Sequence, residues 1–265
     1  RVLFRSEYYF FVDGTPTHSY MRMVYKYPHA AYPYDDLVKV NGERNQQQPE
    51  YELFDALEAD FRANRYFDVA IEYAKASPED ILCRITTINR GPDAAPLHIL
   101  PHLWYRNRWA WELGAERPAI RVAGPMAAYT NAETVGERWW YVRSGDSRPV
   151  ELLFTENETN FERLGEGPNP SPFVKDGFHE RIVHGNQAAA NDRQGSKLAG
   201  HIRFEIPAGG TSTVEVRFRA EPHAAPFGDF DQIVAQRRQE ADEFYQATLP
   251  AILGPDERVV ARQAC

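Results

Sequence analysis

The stretch HIRFEIPAGGTSTVEVRF, residues 201–218, decides the fold class of this chain. Apolar and polar residues alternate strictly on both sides of PAGG, residues 207–210. Such alternation is typical of a β-strand with one buried and one solvated face, and a short Gly-rich connection favours a turn. The stretch therefore predicts two antiparallel strands joined as a hairpin.

Similar segments fill most of the chain upstream. Strand-like runs occur at residues 69–73, 82–88, 97–109, 119–130, 138–143 and 150–154, separated by residues that favour turns. Helices do not alternate with these strands, so the βαβ rhythm of a parallel sheet is missing. Residues 7–225 are therefore predicted to form one all-β domain, a large antiparallel sandwich.

Two segments depart from the strand pattern. Residues 32–48 favour one short helix followed by a polar, glutamine-rich stretch. Residues 230–248 place apolar residues at helical spacing. Asp229 or Asp231 is expected to cap the start of this second helix, and Pro250 is expected to end it.

Both ends of the chain are interpreted as departures from the natural protein, a non-native leader at one end and a truncation at the other. The string RVLFRS, residues 1–6, resembles translated adapter sequence and is interpreted as a non-native leader. Near the other end GPD, residues 254–256, predicts the start of a further helix with Pro in its first position. Residues 226–265 are therefore predicted to be a helical linker that leads into a helical domain outside this chain.

The composition indicates an acidic globular protein. Hydrophobic residues make up 43% and charged residues 26%, and the formal net charge is −8. An acidic balance argues against nucleic acid as a partner, because phosphate binding needs a basic surface. The longest uncharged apolar run, residues 94–105, is shorter than the about 20 residues that cross a bilayer, so no membrane partner is expected.

Cysteine content and motifs narrow the possible chemistry. Cys83 and Cys265 make no disulfide framework, which fits a reducing, cytoplasmic location. The sequence lacks a G-x-S-x-G nucleophile elbow, a P-loop and a G-x-G-x-x-G dinucleotide turn. We therefore expect no cofactor.

Two clusters of titratable residues attract attention but do not suffice for a site. His98 and His102 would share one strand face, yet no third ligand lies near, so core or interface histidines are favoured over a metal site. ENETNFE, residues 156–162, contains three carboxylates. Nothing near them would raise the pKa of one above the others, as a catalytic acid and base in glycoside hydrolysis require.

WYRNRWAW, residues 104–111, is the densest aromatic and basic cluster. If it were a strand, Trp104 and Arg106 would lie on one face and Asn107, Trp109 and Trp111 on the other. The second face suits stacking against a sugar ring with an amide beside it. The core, or an interface with another domain, is the favoured interpretation.

Several motifs in a fixed order resemble the N-terminal β domain of bacterial glycoside hydrolases related to family 63. That group includes α-glucosidases and mannosylglycerate or glucosylglycerate hydrolases. The resemblance covers nearly everything after residue 6. The motifs are EYYF (7–10), TPTHSYM (15–21), YKYP (25–28), RYFD (65–68), EYAKA (72–76), LWYRN (103–107), ENETN (156–160), SPFVKDGFH (171–179), and DER with RQA (256–264).

The resemblance implies a β super-sandwich packed on a C-terminal α/α barrel. In such enzymes the barrel carries the acid and base carboxylates and hydrolyses an α-linked sugar with inversion. The resemblance therefore assigns no catalytic residue to this chain: the parent protein is expected to be an inverting α-glycoside hydrolase, and the chain, which lacks the barrel, is expected to be inactive alone. The chain is expected to be an accessory domain whose partners are its own barrel and the carbohydrate substrate.

Two loops, residues 15–20 and 170–179, are expected to face the barrel or its substrate together with parts of the clusters above. The candidates are Thr17, His18, Tyr20, Arg106, Asn107, Trp109, Trp111, Asn157, Asn160, Phe173, Lys175, Asp176 and His179. Two alternatives remain open. One is a free-standing carbohydrate-binding module; the other is a super-sandwich sugar epimerase in which His18 or His179 pairs with a carboxylate as acid and base.

Overall fold

The computed structural model describes residues 8–112, 114–133 and 135–264. The strands are β1 (Tyr9–Gly14), β2 (Tyr20–Pro28), β3 (Tyr66–Ser77), β4 (Asp80–Asn89), β5 (Ala95–Ile99), β6 (His102–Trp104), β7 (Ile120–Gly124), β8 (Ala127–Ala132), β9 (Gly136–Ser144), β10 (Glu151–Thr155), β11 (Gln194–Gly195), β12 (Lys197–Ile206) and β13 (Thr211–Arg219). The helices are α1 (Tyr34–Glu43), α2 (Leu53–Ala56), α3 (Glu58–Arg62), α4 (Phe161–Leu164), α5 (Gly177–Ile182), α6 (Phe230–Thr248) and α7 (Pro255–Ala264). The expected leader, residues 1–6, lies outside the described residues, as does Cys265.

The strands form two antiparallel sheets. The larger sheet has nine strands in the order β1-β2-β3-β4-β13-β9-β8-β7-β11. The smaller sheet has the order β10-β12-β5, and β6 also pairs with β12. The all-β fold predicted from the alternating segments is confirmed.

The two sheets pack face to face around one core. Phe67, Val142 and Val214 of the larger sheet and Leu198 and Phe204 of the smaller sheet are almost fully buried in the same cluster. Two sheets joined in this way form a sandwich. Burying a large aliphatic or aromatic side chain stabilises the fold by roughly 1.5–3 kcal/mol relative to leaving it exposed.

The strands at residues 201–206 and 213–218 do not pair with each other. β12 pairs with β5, β6 and β10, whereas β13 pairs with β4 and β9. The predicted hairpin is therefore wrong, and residues 207–210 cross from one sheet to the other. The core face was predicted correctly, because Ile202 and Val214 both point into the core and the two strands face each other across the sandwich. The solvated face predicted for residues 213–218 is wrong, because Glu215 and Arg217 are only 5% and 2% exposed. Arg217 is hydrogen-bonded to the segment that leads into α6.

Prolines interrupt two of the predicted strands. The run at residues 97–109 breaks at Pro101 and ends as a strand at Trp104, and the run at residues 119–130 breaks at Pro125. Proline lacks the N–H that a strand ladder needs. The two faces predicted for residues 104–111 are therefore wrong, because everything after Trp104 there lies in a loop.

The predicted helices are present. α1 lies within residues 32–48, and α6 has the predicted bounds. Phe230 and Val234 of α6 pack on Ala74 and Leu82, on the outer face of the larger sheet. Asp229 occupies the N-cap position of α6, as expected, but its side chain makes no capping hydrogen bond. The Asp229 carboxylate instead accepts a hydrogen bond from Arg217.

Short helices cover two further surfaces of the sandwich. α1, α2 and α3 pack with Tyr8 and Tyr25 beside β1 and β2, where Leu53 and Leu57 are buried. Phe178 of α5 packs on Leu153 and Ala199 of the smaller sheet. Among the helices described, none is long and apolar enough to cross a membrane.

Candidate functional site

The connections that carry the candidate residues leave the sandwich at the same end. Strand register places the β1–β2, β3–β4 and β8–β9 connections together at one end of the larger sheet. The β6–β7 and β10–β11 connections start at this end too. Tyr105 follows β6 directly, and its hydroxyl lies 2.9 Å from that of Thr130 in β8. Gly195 of β11 pairs with Ile120 at the start of β7. We call this side of the molecule the loop end.

Glu158 lies at the centre of the larger group of candidates. It is 5% exposed. Asn107 Nδ2 donates to Glu158 Oε2 at 2.8 Å, and the Trp109 indole N–H donates to the other carboxylate oxygen. The backbone N–H of Lys175 donates to the Glu158 carbonyl oxygen at 2.9 Å. Glu158 therefore connects its own segment to residues 107–109 through its carboxylate and to residue 175 through its backbone carbonyl.

Asn157 and Ser196 join the segments of Tyr105 and Glu156 to the β11–β12 connection. The Asn157 backbone N–H donates to Ser196 Oγ at 2.8 Å, and its side-chain amide donates to the Tyr105 carbonyl oxygen at 2.9 Å. The Ser196 hydroxyl donates to Glu156 Oε2 at 2.6 Å. A methyl group on the neighbouring Gly195 would lie 2.2 Å from the Thr155 carbonyl oxygen, so this close approach requires glycine.

Asn160 and Asp176 connect the start and the middle of the long β10–β11 connection, residues 156–193. Asn160 Nδ2 lies 3.2 Å from each Asp176 carboxylate oxygen, and Arg163 pairs with the same carboxylate at 3.2 Å. The side chain of Asn160 also caps α4 by accepting from the Arg163 backbone N–H. Lys175 Nζ donates to Thr159 Oγ1 at 3.3 Å. These bonds fix the loop internally and leave Lys175 on the surface.

Aromatic side chains project from the loop end beside this polar network. Trp104 is 55% and Trp111 is 62% exposed. The Arg106 guanidinium lies 5.9 Å from the Trp111 ring centroid, within cation–π range. This exposed aromatic group remains the part of the site best suited to stack on a flat or ring-shaped ligand.

Phe173 and His179 occupy the outer part of the group. Phe173 is half-buried, and its carbonyl oxygen accepts from the Glu156 backbone N–H at 3.0 Å. His179 is exposed on α5 and its ring lies edge-on to His184 at 5.1 Å.

Thr17, His18 and Tyr20 form a separate group in the β1–β2 turn. Thr17 bonds with Ser19, and His18 adopts a positive φ of 53° with its ring beside Met21. Tyr20 is 1% exposed, and its hydroxyl donates to the Glu72 carboxylate at 2.7 Å. Burial and this hydrogen bond raise the pKa of Tyr20 to about 12. The two groups are separated by five strand spacings between β2 and β8, roughly 24 Å.

The two histidines expected on one strand face lie in different strands, His98 in β5 and His102 in β6. His98 pairs with His201, with Nδ1 and Nε2 2.8 Å apart, while His102 packs against Phe178. In the described ranges no group of three His, Cys, Asp or Glu side chains is placed to hold a metal ion.

Sequence reasoning missed the residues that organise the site. Ser196 and Glu72 gave no local signal, because each acts on a partner about 40 or 50 positions away. Glu158 was noticed as one of three carboxylates, but the sequence did not indicate which of them is buried. Glu72 shares β3 with Asp68 and Lys75, so its polarity alone does not mark it as the buried acid of that strand.

Comparison with known proteins relates this chain to a yeast protein. No family model matches this chain. The chain is similar to a Saccharomyces cerevisiae protein described as "Uncharacterized protein YMR196W", with 34% identity over 300 aligned positions. The alignment covers 97% of this chain and 28% of the yeast protein. The chain thus spans less than a third of the length of that relative.

Proposed function

We propose that this chain is the non-catalytic N-terminal accessory domain of a glycoside hydrolase that acts on α-linked sugars, of the glucoside or the mannosyl- or glucosylglycerate type. Its role would be to brace a catalytic α/α barrel and to contribute loops to the rim of that barrel. Support comes from the ordered motifs, from the gathering of the candidate loops at one end, and from the helical tail. A cytoplasmic location belongs to the same proposal and fits the free thiol of Cys83.

The strongest support for this proposal comes from the helical tail, which consists of α6 and α7. Arg262 of α7 pairs with Asp13 of β1 through two hydrogen bonds of 2.7 and 2.6 Å, and with Asp242 of α6 at 2.7 Å. α7 is thus held beside the loop end. Its Val259 and Val260 are 57% and 65% exposed. A fixed helix with apolar side chains turned outwards supports the packing of a further domain there.

The proposal is tested in the full-length parent protein, whose barrel is expected to supply the acid and base. Trp111→Ala is expected to raise KM for the sugar substrate several-fold if its loop lines the rim. Arg62→Ala serves as a control, because Arg62 is an exposed arginine on α3, outside the loop end. Unchanged kinetic constants for both variants would remove the substrate-facing role from this loop.

A carbohydrate-binding module is the second candidate, and the exposed Trp104 and Trp111 favour it. Titration of this chain with glucose, mannose and glycerate glycosides, followed by tryptophan fluorescence, separates the candidates. Saturable binding that Trp111→Ala abolishes would favour the module. The epimerase alternative gains no support, because within the described residues neither His18 nor His179 is hydrogen-bonded to a carboxylate.

A further inference from the structure

A cavity of about 370 Å³ lies between the first two strands and the helical segment that covers them. Its position along β2 is near Tyr25, roughly 17 Å from Tyr20 and the loop end. The aromatic residues of its wall are all tyrosines: Tyr8, Tyr9, Tyr25, Tyr32 and Tyr51. Such a concentration of one ring type in one cavity sets it apart from the loop end.

The residues that line the cavity carry two carboxylates, and the Arg44 guanidinium already lies over the Tyr51 ring, 5.2 Å from its centroid, so a ligand would use the other tyrosine rings. The cavity wall includes Glu50 and Glu52, and the remaining described lining residues contribute no lysine, arginine or histidine. The faces of tyrosine rings attract cations through their quadrupole, and carboxylates add Coulomb attraction. An anionic ligand would meet repulsion in the same place. The cavity therefore favours an organic cation.

The walls are held in place before any ligand arrives. The Tyr9 and Tyr25 rings stack with centroids 4.3 Å apart and planes within 5°. Asn41 fixes the backbone of Tyr51 at both ends: its amide donates to the Tyr51 carbonyl oxygen, and its carbonyl oxygen accepts from the Tyr51 N–H, each at 2.8 Å. Tyr51 Oη donates to Asp36 at 3.0 Å. Preorganised walls reduce the entropy lost on binding.

One polar atom in the wall lacks a partner. Tyr8 is 8% exposed, and its hydroxyl makes no hydrogen bond within the part of the chain that the structure describes. Burial and the nearby carboxylates of Glu52 and Asp55 raise the pKa of Tyr8 to about 12, so the hydroxyl stays protonated and able to donate. A buried hydroxyl without a partner costs free energy that a hydrogen-bonding ligand recovers.

We propose that this tyrosine cavity binds a small hydroxylated alkylammonium, a cation of the choline class. The ammonium group would lie against the tyrosine faces near Glu50, and the ligand's hydroxyl would meet the Tyr8 hydroxyl. The same chemistry is offered by a free small molecule and by a lipid headgroup. This site is independent of the proposed accessory role and does not require the barrel.

Calorimetric titration of this chain with choline and with its uncharged isostere, in which carbon replaces the quaternary nitrogen, tests the cation requirement. We expect saturable choline binding that weakens with added salt. The isostere should bind at least about tenfold more weakly, because it lacks the cation–π and carboxylate attraction. Equal affinities for the two compounds, or no saturable binding of choline, would overturn the proposal. Phosphatidylcholine vesicles used as competitors identify the source: competition points to a headgroup, and its absence to a free ligand.

Variants assign the binding to this cavity. Tyr9→Ala removes one wall, and because Tyr9 is 63% exposed the fold should tolerate the change; choline affinity is expected to fall about tenfold. Phe10→Ala is the matched control, since Phe10 is the next residue of β1, is 45% exposed and does not line the cavity. Tyr8→Phe should erase the preference for choline over tetramethylammonium. A preference that survives Tyr8→Phe refutes the role given to that hydroxyl, and an equal loss in Tyr9→Ala and Phe10→Ala refutes the cavity.

Discussion

Replacing Asp80 by alanine is expected to destabilise the chain more than any comparable change at an exposed ion pair. Asp80 binds the Arg217 guanidinium in a fork, with Nε to Oδ1 at 2.8 Å and Nη2 to Oδ2 at 2.7 Å. The Arg217 side chain is 3% exposed and that of Asp80 is 10% exposed. Without Asp80, the buried guanidinium keeps Asp229 and the carbonyl oxygen of Pro226.

Removing one partner of a buried pair typically costs 3–5 kcal/mol, because the other charge is left without compensation. Since Arg217 retains two acceptors, the lower part of this range applies, about 3 kcal/mol. The matched control is Glu112→Ala. The Glu112 carboxylate forms the same fork with Arg108, at 2.8 and 2.7 Å, but both side chains are largely exposed. Its loss should change the stability far less.

Urea unfolding followed by fluorescence and by circular dichroism measures both variants. Asp80→Ala should lower the midpoint clearly, and because Arg217 also holds the residue preceding α6, proteolysis between β13 and α6 should become faster. If Asp80→Ala shifts the midpoint no further than Glu112→Ala does, the buried network does not stabilise the sandwich or hold the linker helix.

Three smaller perturbations probe the loop end and the sheet connections. Gly195→Ala places a methyl group 2.2 Å from a carbonyl oxygen and should cost about 1–3 kcal/mol in urea unfolding. Gly42→Ala on α1, with nothing within 4 Å, should be neutral or stabilising, and equal losses in the two variants would contradict the close approach at Gly195. Glu158→Gln replaces one accepting oxygen by an NH2 group, which then faces the N–H donor of Asn107 or Trp109. The change should cost about 1–3 kcal/mol of unfolding free energy and alter the tryptophan emission. An unaltered spectrum and stability would contradict the central position of Glu158. Hydrogen bonds from Arg148 lower the pKa of Asp146 to about 2, so the stability difference between the wild type and Asp146→Asn should be present above the ordinary value of 3.8 and vanish as pH falls toward 2. A difference that grows on acidification would refute this sign.

Alternation along β12 and β13 predicted their core-facing side chains, but neither the neighbouring strands nor the burial of Glu215 and Arg217 on the other face of β13. Ile202 and Val214 were correctly expected in the interior, and the strands that carry them lie in different sheets. A connection of the same length can form a tight turn within one sheet or cross to the other. The choice depends on the partners of each strand, β5 and β10 for one and β4 and β9 for the other, and these are distant in sequence.

The candidate site was predictable as a set of loops and not as a network. The motifs and polar-aromatic composition pointed to loops that leave the sandwich at the loop end, in two groups separated by roughly 24 Å. The buried acid Glu158 depends on Asn107 and Trp109, which lie 51 and 49 residues away, so its role was invisible to local patterns. Helices of about one turn, such as α2 and α4, were also not predicted, because four residues are too few to show a helical periodicity.

In our proposal this chain is an accessory domain, and the chemistry belongs to the remainder of a longer protein. Hydrolysis of α-glucosides and glycosylglycerates, assayed side by side with this chain and with the full-length parent, tests the claim most directly. The account predicts sugar release by the full-length protein and none by this chain at equal concentration. Turnover by this chain alone, or a full-length protein inactive on every α-linked substrate, would contradict it.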